Sequence, residues 1–397
     1  MKQDCPVCGS KQSYLFLERM NMPIFQNIVI PDQTVATQCK DGEITLLACQ
    51  ECGFVYNGNF NADKIIYNQA YDNCQIHSNY FSNYVNGLVH RLLEKYKIRN
   101  SRIIEIGCGQ GEFLKKLVAN SENGNCGVGF DPSYRGEDIL YNGRLTFQKD
   151  YYSEKFTNID ADIIVCRHVI EHISDPVALL RNICKAICNK KETILFFETP
   201  CINWILQNRV FWDFFYEHCS YFNENSIRTA FSTAGFAIRE ITHIFEGQYL
   251  WVEATYDSIG EDGSAKTQFC WRNFKQFIDN FVTAEKQIVN NWRSHISALH
   301  KEKHKEKHKV AIWGAGAKGV TFANLIDPDR NMINCVIDIN PNKQGNYIPG
   351  TGHLITDVET AVQKGVTHAI IMNPNYLSEI QEIIAHKNVN LELIKHI

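Results

Sequence analysis

Glu105-Ile106-Gly107-Cys108-Gly109-Gln110-Gly111 places three glycines within five residues, and Asp131 closes the next apolar run. Ser101-Arg102-Ile103-Ile104 reads as the end of a buried strand, and Phe113-Leu114-Lys115-Lys116-Leu117 as the opening of an amphipathic helix. The glycines therefore fall in a tight strand-to-helix turn that lets a ligand approach the backbone. Cys126-Gly127-Val128-Gly129-Phe130 reads as a second strand, whose terminal carboxylate, Asp131, can accept both ribose hydroxyls of a nucleoside lying over the turn.

A dinucleotide-binding turn spaces its glycines as G-x-G-x-x-G, whereas here the third glycine comes one residue early and Glu105 precedes the turn inside the strand. In this the segment resembles class I S-adenosylmethionine-dependent methyltransferases. The resemblance implies that Glu105 orders the loop, that Gly107, Gly109 and Gly111 border the methionine end of the cofactor, and that Asp131 holds its ribose.

The bulk properties bound the rest. At 397 residues and 44% apolar content, the chain can build two or three cores. Its 40 Lys and Arg balance 44 Asp and Glu, so no basic field exists to hold nucleic acid. No segment has the about 18 consecutive apolar residues of a membrane span, and Met1-Lys2-Gln3-Asp4-Cys5 lacks a signal-peptide core. The expected location is the cytoplasm, with the 15 cysteines mostly reduced.

Four of those cysteines stand apart. Cys5-Pro6-Val7-Cys8-Gly9 and Cys49-Gln50-Glu51-Cys52-Gly53 are knuckles of identical C-x-x-C-G spacing, which reads as a closed, four-thiolate structural zinc site. A module of about 50 residues buries too little apolar surface to be stable without such a staple. The segment from Ile24 to Thr45 has few cations, which favours a scaffolding role over RNA contact. Beyond it come aromatic residues, the polar trio Gln75, His77 and Ser78, and a helix predicted over Val85 to Tyr96. The trio, Ser78 above all, is a candidate to close over the methionine end of the cofactor.

Two polar strand exits follow, at Arg167-His168-Val169-Ile170-Glu171-His172 and at Glu198-Thr199-Pro200. His168 and His172 would share one face if the segment were helical, but two ligands alone do not make a metal site; His168 is kept as a cofactor-side candidate. Phe211-Trp212-Asp213-Phe214-Phe215-Tyr216-Glu217-His218-Cys219-Ser220-Tyr221-Phe222 then sets a Glu-His pair among aromatics, where partial burial can tune an imidazole toward general-base work.

Here the chain resembles the three-part bacterial nucleotide-sugar C-methyltransferases of deoxysugar pathways. These join a zinc module, a methyltransferase domain and a C-terminal Rossmann-like domain. Glu217-His218 with Ser220-Tyr221 match that family's tyrosine-x-glutamate-histidine motif and the serine-tyrosine pair after it. The resemblance implies that His218 is the base, assisted by Glu217, that His172 contacts the sugar, and that Tyr221 lines the substrate site. The motif tyrosine falls on Phe215, so the hydroxyl would come from Tyr216. A proton α to a ketone leaves only with such a base and with polar groups that stabilise the enolate. The same histidine would also serve an O- or N-methyltransferase.

The charged run Lys301 to Lys309 marks a boundary, read as a linker rather than a metal site for its two histidines. After the strand Val310-Ala311-Ile312-Trp313, Gly314-Ala315-Gly316-Ala317-Lys318-Gly319 is a full G-x-G-x-x-G turn opening a helix over Val320 to Leu325, and Asp338 ends the next strand. Read alone, this founds a rival assignment, an NAD(P)-dependent oxidoreductase. The short length after the linker and a cation beside the turn favour the diphosphate of a nucleotide sugar, held by Gly314, Gly316 and Lys318.

The expected architecture is therefore α/β. A zinc-binding module occupies residues 1–58, a helical connector 59–98, a Rossmann-like class I methyltransferase core 99–258, a helical linker 259–308 and a smaller Rossmann-like substrate domain 309–397. The expected cofactors are S-adenosylmethionine and structural zinc. The expected partner is a nucleotide-linked sugar destined for a surface polysaccharide or secondary metabolite, with no nucleic acid and no membrane, in a monomer or homodimer.

Overall fold

The computed structural model describes residues 4–39, 41–65, 67, 71–188, 190, 192–257, 269–301 and 308–395. Strand β1 (Ser13–Met22), helix α1 (Gln33–Gln38), β2 (Gly42–Cys49) and β3 (Val55–Asn57) form the N-terminal part. Helix α2 (Asn79–Lys95) leads into β4 (Arg102–Ile106), α3 (Glu112–Val118), β5 (Cys126–Phe130), β6 (Ile139–Leu140), β7 (Leu145–Gln148), β8 (Ile163–Arg167), α4 (Pro176–Ile187) and β9 (Ile194–Pro200). Next are α5 (Ile202–Gln207), β10 (Ser220–Tyr221), α6 (Glu224–Thr233), β11 (Phe236–Ile244), β12 (Tyr249–Tyr256) and the long α7 (Trp271–Leu299). The last part is β13 (Lys309–Trp313), α8 (Ala317–Ile326), β14 (Ile333–Ile337), β15 (Ile355–Thr356), α9 (Val358–Gln363), β16 (Val366–Ile371), α10 (Leu377–Lys387) and β17 (Glu392–Ile394).

The central sheet has the order β11-β12-β9-β8-β4-β5-β7-β6. Its core strands β9, β8, β4, β5 and β7 are parallel, and β12 joins β9 antiparallel. Ile103, Ile104 and Ile106 of β4 are all buried, as expected for a parallel strand covered on both faces. The strand order reverses at β4, so the ligand crevice opens beyond the carboxyl ends of β4 and its neighbours. This is a mixed α/β, Rossmann-like fold. Helix α2 starts earlier than the apolar pattern predicts, at Asn79 rather than Val85, because the Ser78 hydroxyl accepts the Phe81 N–H at 3.1 Å and caps it. Its buried residues Val85, Leu88, Val89 and Leu92 keep helical spacing and pack with Phe113, Leu114 and Leu117 of α3.

A second parallel sheet, β15-β14-β13-β16-β17, repeats the reversal at β13. Helix α8 also begins sooner than predicted, at Ala317 instead of Val320. Gly319 permits this tight entry, since a Cβ there would lie 1.9 Å from the Gly314 carbonyl oxygen.

The N-terminal sheet runs β1-β2-β3-β10, so a strand from the aromatic segment after β9 completes it. Helix α7 buries Phe274, Ile278, Phe281, Trp292 and Ile296 in a core that extends from β1 and β2 to β13 and α8. Arg19 of β1 pairs with Glu285 at the middle of α7, and Arg293, nearer its C-terminal end, donates to the Leu325 and Ile326 carbonyls of α8. Residues 259–268 of the expected linker and residues 302–307 of the charged run, His304 among them, lie outside the described residues.

Candidate active site

The Gly107 turn has the geometry its sequence predicts. Gly107, Gly109 and Gly111 all have positive φ, and a Cβ on Gly107 would meet Val169 at 2.1 Å while one on Gly109 would meet nothing within 4 Å. Glu105 is buried in β4, accepts the Leu114 N–H at 3.1 Å and so ties the strand to α3; burial pushes its carboxyl up to about 8. Asp131 accepts the Gly109 N–H at 2.8 Å on Oδ2 and the Ser133 N–H at 2.8 Å on Oδ1. The carboxylate is thereby fixed over the open side of the turn, where these residues fit a nucleoside cofactor. Asp131→Ala removes two charge-assisted hydrogen bonds and should weaken binding of S-adenosylhomocysteine by about tenfold or more in a calorimetric titration. Unchanged affinity would remove Asp131 from the site.

A cavity of about 290 Å³ lies between the central sheet and the C-terminal turn. His168, Glu171, His172 and His218 form one wall, and Gly314, Gly316, Lys318, Asp338 and Lys343 another. His168 and His172 do not share a helix face, because the segment between them is not an α-helix. His168 sits at φ 54, and only a short 3-10 turn, Ile170–His172, follows it. His168 lies 3.0 Å from Glu198 and 3.4 Å from Glu171; these carboxylates outweigh the effect of burial and raise it to about 9. Arg167, 2.6 Å from the same Glu198, and His168 hold that buried carboxyl down at about 2 against the upward push of burial.

His172 turns the other way. Its Nδ1 lies 2.9 Å from the Tyr67 hydroxyl, and its ring meets the His218 ring edge-on with centroids 4.8 Å apart. Glu171, His172 and His218 each offer one ligand or proton-accepting atom within 4.8 Å of the others. Enclosure, reinforced by His172, His168 and Lys318, holds His218 well below its ordinary value of 6.5. It therefore stands as a neutral imidazole at pH 7, able to accept a proton.

Five of the candidate side chains have partners that the sequence does not indicate. Tyr216 points away from the cavity, its hydroxyl accepting the Asn61 N–H at 3.0 Å and its ring packing on Phe60. Tyr221 is buried behind the wall, where its hydroxyl accepts the Phe215 N–H at 3.3 Å and holds the loop carrying His218. Glu217 also lies behind the wall, accepting the Gln26 N–H at 2.7 Å, and burial raises it to about 8. Lys318 is already paired with Asp213 at 2.9 Å and reaches over the Trp204 ring. Ser78 lines the cavity, but its hydroxyl donates to Glu379 of α10 at 2.6 Å.

The structure adds residues that had no local signal. Glu379 and Tyr376 reach Ser78 and Gln75 from 301 residues away along the chain. Gln248 and Asn373 bond to each other across the same seam.

The thiols of Cys5, Cys8, Cys49 and Cys52 lie within 4.8 Å of one another, with Cys5–Cys52 at 3.7 Å and Cys8–Cys49 at 3.5 Å. Four sulfurs at Zn–S distances of about 2.3 Å would be separated by similar edges, so the cluster fits zinc.

The sheet order and its glycine turn define a class I S-adenosylmethionine-dependent methyltransferase domain. Residues 77–241 match the family described as "Methyltransferase domain", and residues 275–390 match the family described as "C-methyltransferase C-terminal domain". One chain thus joins the methyltransferase domain to a C-methyltransferase C-terminal domain.

Over 127 residues the chain is 28% identical to a protein named tRNA U34 carboxymethyltransferase from Sulfurimonas denitrificans, covering 29% of this chain and 40% of that one. The same-named protein of Sulfurovum sp. is 29% identical over 119 residues, covering 27% and 37%. The chain thus spans about two fifths of the length of these curated relatives. Magnesium protoporphyrin IX methyltransferase from Synechocystis PCC 6803, solved with bound SAH, aligns at a TM-score of 0.34 and 15% identity, covering 45% of this chain and 84% of that one.

Proposed function

We propose that the protein acts in the cytoplasm on a nucleotide-linked keto-sugar, methylating the carbon next to the ketone, with His218 as general base. The observation that carries this reading is the His218 imidazole beside His172 and Glu171, facing the glycine turn of the C-terminal sheet across one cavity. S-adenosylmethionine, when bound at the Gly107 turn, supplies an electrophilic methyl group. His218 takes the α-proton, and His172, oriented by Tyr67, contacts the sugar oxygen beside it. The tRNA in the relatives' names does not suit a chain of net charge −4, which lacks a basic field for a polyphosphate backbone.

The test is incubation of candidate nucleotide keto-sugars with the protein in deuterated water. Exchange of the α-proton and a product methyl bonded to carbon are expected; a methyl on oxygen or nitrogen would replace this reading by the corresponding transferase. The pH profile provides a second check. Because His218 is depressed, its base form persists down through pH 6.5, so the acid limb of kcat/KM should fall below 6.5. A limb at or above that value would point to a different base.

A further inference from the structure

Asp72, in the stretch between β3 and α2, is a buried carboxylate that belongs to neither wall of the cavity. Its Oδ1 accepts the Cys74 N–H at 3.0 Å and an Asn340 Nδ2–H at 3.2 Å, and its Oδ2 accepts from Arg135 Nη2 at 3.4 Å. Its own N–H donates to the Asn27 carbonyl at 2.8 Å, which steadies the backbone from which the side chain reaches out. One side chain thus touches the loop after β5 of the central sheet and the loop after β14 of the C-terminal sheet.

Each of those loops also carries the carboxylate that ends its strand. Arg135 stands four residues after Asp131; its N–H donates to Gln110 Oε1 at 3.1 Å, and Gln110 of the glycine turn donates in return to the Ser133 carbonyl at 3.1 Å. Asn340 stands two residues after Asp338; its N–H donates to Asp338 Oδ1 at 2.8 Å, and its side-chain oxygen accepts the Asn342 N–H at 3.0 Å. The cofactor loop and the C-terminal loop are therefore joined through one carboxylate. The Asp72 side chain is 1% exposed and that of Arg135 36%. A charge so far out of water is costly unless its partners stay close, so loosening one loop disturbs the contact to the other.

The stretch that begins at Asp72 also covers the cavity. Cys74, Gln75, His77 and Ser78 line it, and α10 holds the far end, where the Tyr376 hydroxyl donates to Gln75 and the Ser78 hydroxyl and Asn79 N–H donate to Glu379. Asp72 is where this cover meets the cofactor loop.

We propose that Asp72 is a positioning residue for methyl transfer, which holds the cofactor loop and the C-terminal loop in register by gripping Arg135 and Asn340 at once. The inference rests on the reading that the acceptor lies in the cavity between the two sheets. Displacement at a sulfur-bound methyl needs donor and acceptor aligned at about 3–3.5 Å, and a misplacement of about 1 Å can cost about 10²-fold. Proton removal by His218 makes no such demand, because base and acceptor meet without the donor.

The first test is amide hydrogen exchange of the full-length, zinc-loaded protein with and without S-adenosylhomocysteine. The ligand should slow exchange in peptides covering residues 131–135 and also in those covering 338–343. In Asp72→Asn and in Arg135→Met the first protection should remain and the second should be lost. Arg135→Lys, which keeps the charge, should restore it, a recovery that a damaged fold would not give. Arg135 is partly exposed, so its variants decide the matter even if Asp72→Asn does not fold.

The second test uses UDP-keto-deoxyglucose and dTDP-keto-deoxyglucose as acceptors. Asp72→Asn should lower kcat for methyl transfer by about 10²-fold, while α-proton exchange, measured with S-adenosylhomocysteine in place of the donor, stays at the level of the unaltered protein. Protection confined to residues 131–135 in the unaltered protein, or protection at 338–343 that survives in both Asp72→Asn and Arg135→Met, overturns the inference. So does a loss of α-proton exchange in Asp72→Asn as large as the loss of transfer. A protein that methylates neither sugar counts against the keto-sugar reading and not against the link between the loops, which the amide exchange decides by itself.

Discussion

His218→Ala should lower kcat by about 10²- to 10⁴-fold, the range spanned by a positioned general base, while S-adenosylhomocysteine affinity stays within about twofold. The two effects separate because His218 and the cofactor turn sit on different elements. The turn is built from β4, α3 and the end of β5, and its carboxylates bond to Leu114, Gly109 and Ser133. His218 instead belongs to the segment before β10, held by the Tyr221 hydroxyl on the Phe215 N–H and by contact of its own ring with Phe215 at 4.1 Å. Removing the imidazole therefore takes away a proton acceptor without loosening the turn. Exchange of the substrate α-proton with deuterated water should disappear in step with turnover, a loss that a merely displaced loop would not produce so selectively. His172→Gln, which keeps a hydrogen-bonding side chain beside Tyr67, should raise KM more than it lowers kcat. Retention of more than a tenth of the exchange rate in His218→Ala would falsify the base assignment.

How far the sequence could be read follows from the range of the interactions involved. The Gly107 turn and Asp131 were legible because a tight turn needs positive φ at fixed offsets, and the carboxylate must end the adjacent strand. The cysteine knuckles were legible for the same reason: Cys49 and Cys52 are set by a local turn, and only the pairing with Cys5 and Cys8 is long-range. Side-chain direction was not legible where a neighbour distant in sequence decides it. Tyr216 stands next to the base, yet Phe60 and Asn61 draw it to the N-terminal sheet. Lys318 stands in the turn, yet Asp213 takes its charge. The burial of Lys343 was not legible either, because nothing local distinguishes a lysine that will be buried from one that will be solvated. The spacing of His168 and His172 suggested a shared face, but the left-handed backbone at His168 breaks the helical register and sends the two rings to different partners.

Removal of zinc should have an effect as large as loss of the base, and it should reach the active site through a specific route. Apparent free energies for structural zinc sites are about 10–16 kcal/mol, comparable to the whole stability of a domain. Cys5, Cys49 and Cys52 are buried in the core that also holds Phe54, Tyr56 and Phe222, so an unligated cluster leaves polar thiols in an apolar interior. Strand β3 follows the second knuckle and pairs with β10 through Tyr56–Ser220 and Val55–Tyr221. The Asn223 and Asn225 side chains donate to the Gly53 and Cys52 carbonyls, and the Asn57 N–H donates to the Cys219 carbonyl. Residues 219–225 therefore depend on the knuckle for their position, and His218 immediately precedes them. Cys52→Ser should abolish bound zinc as measured by atomic spectrometry, lower Tm, and reduce turnover. Affinity for S-adenosylhomocysteine should survive wherever the central sheet remains folded, since none of the bonds at Glu105 and Asp131 involves the N-terminal sheet. Tyr56→Ala, which leaves all four thiols in place, should retain zinc while still slowing turnover, because it weakens the β3–β10 seam without touching the metal. A zinc-free Cys52→Ser protein with unaltered Tm and turnover would mean that the cysteines hold neither a metal nor the segment that positions His218.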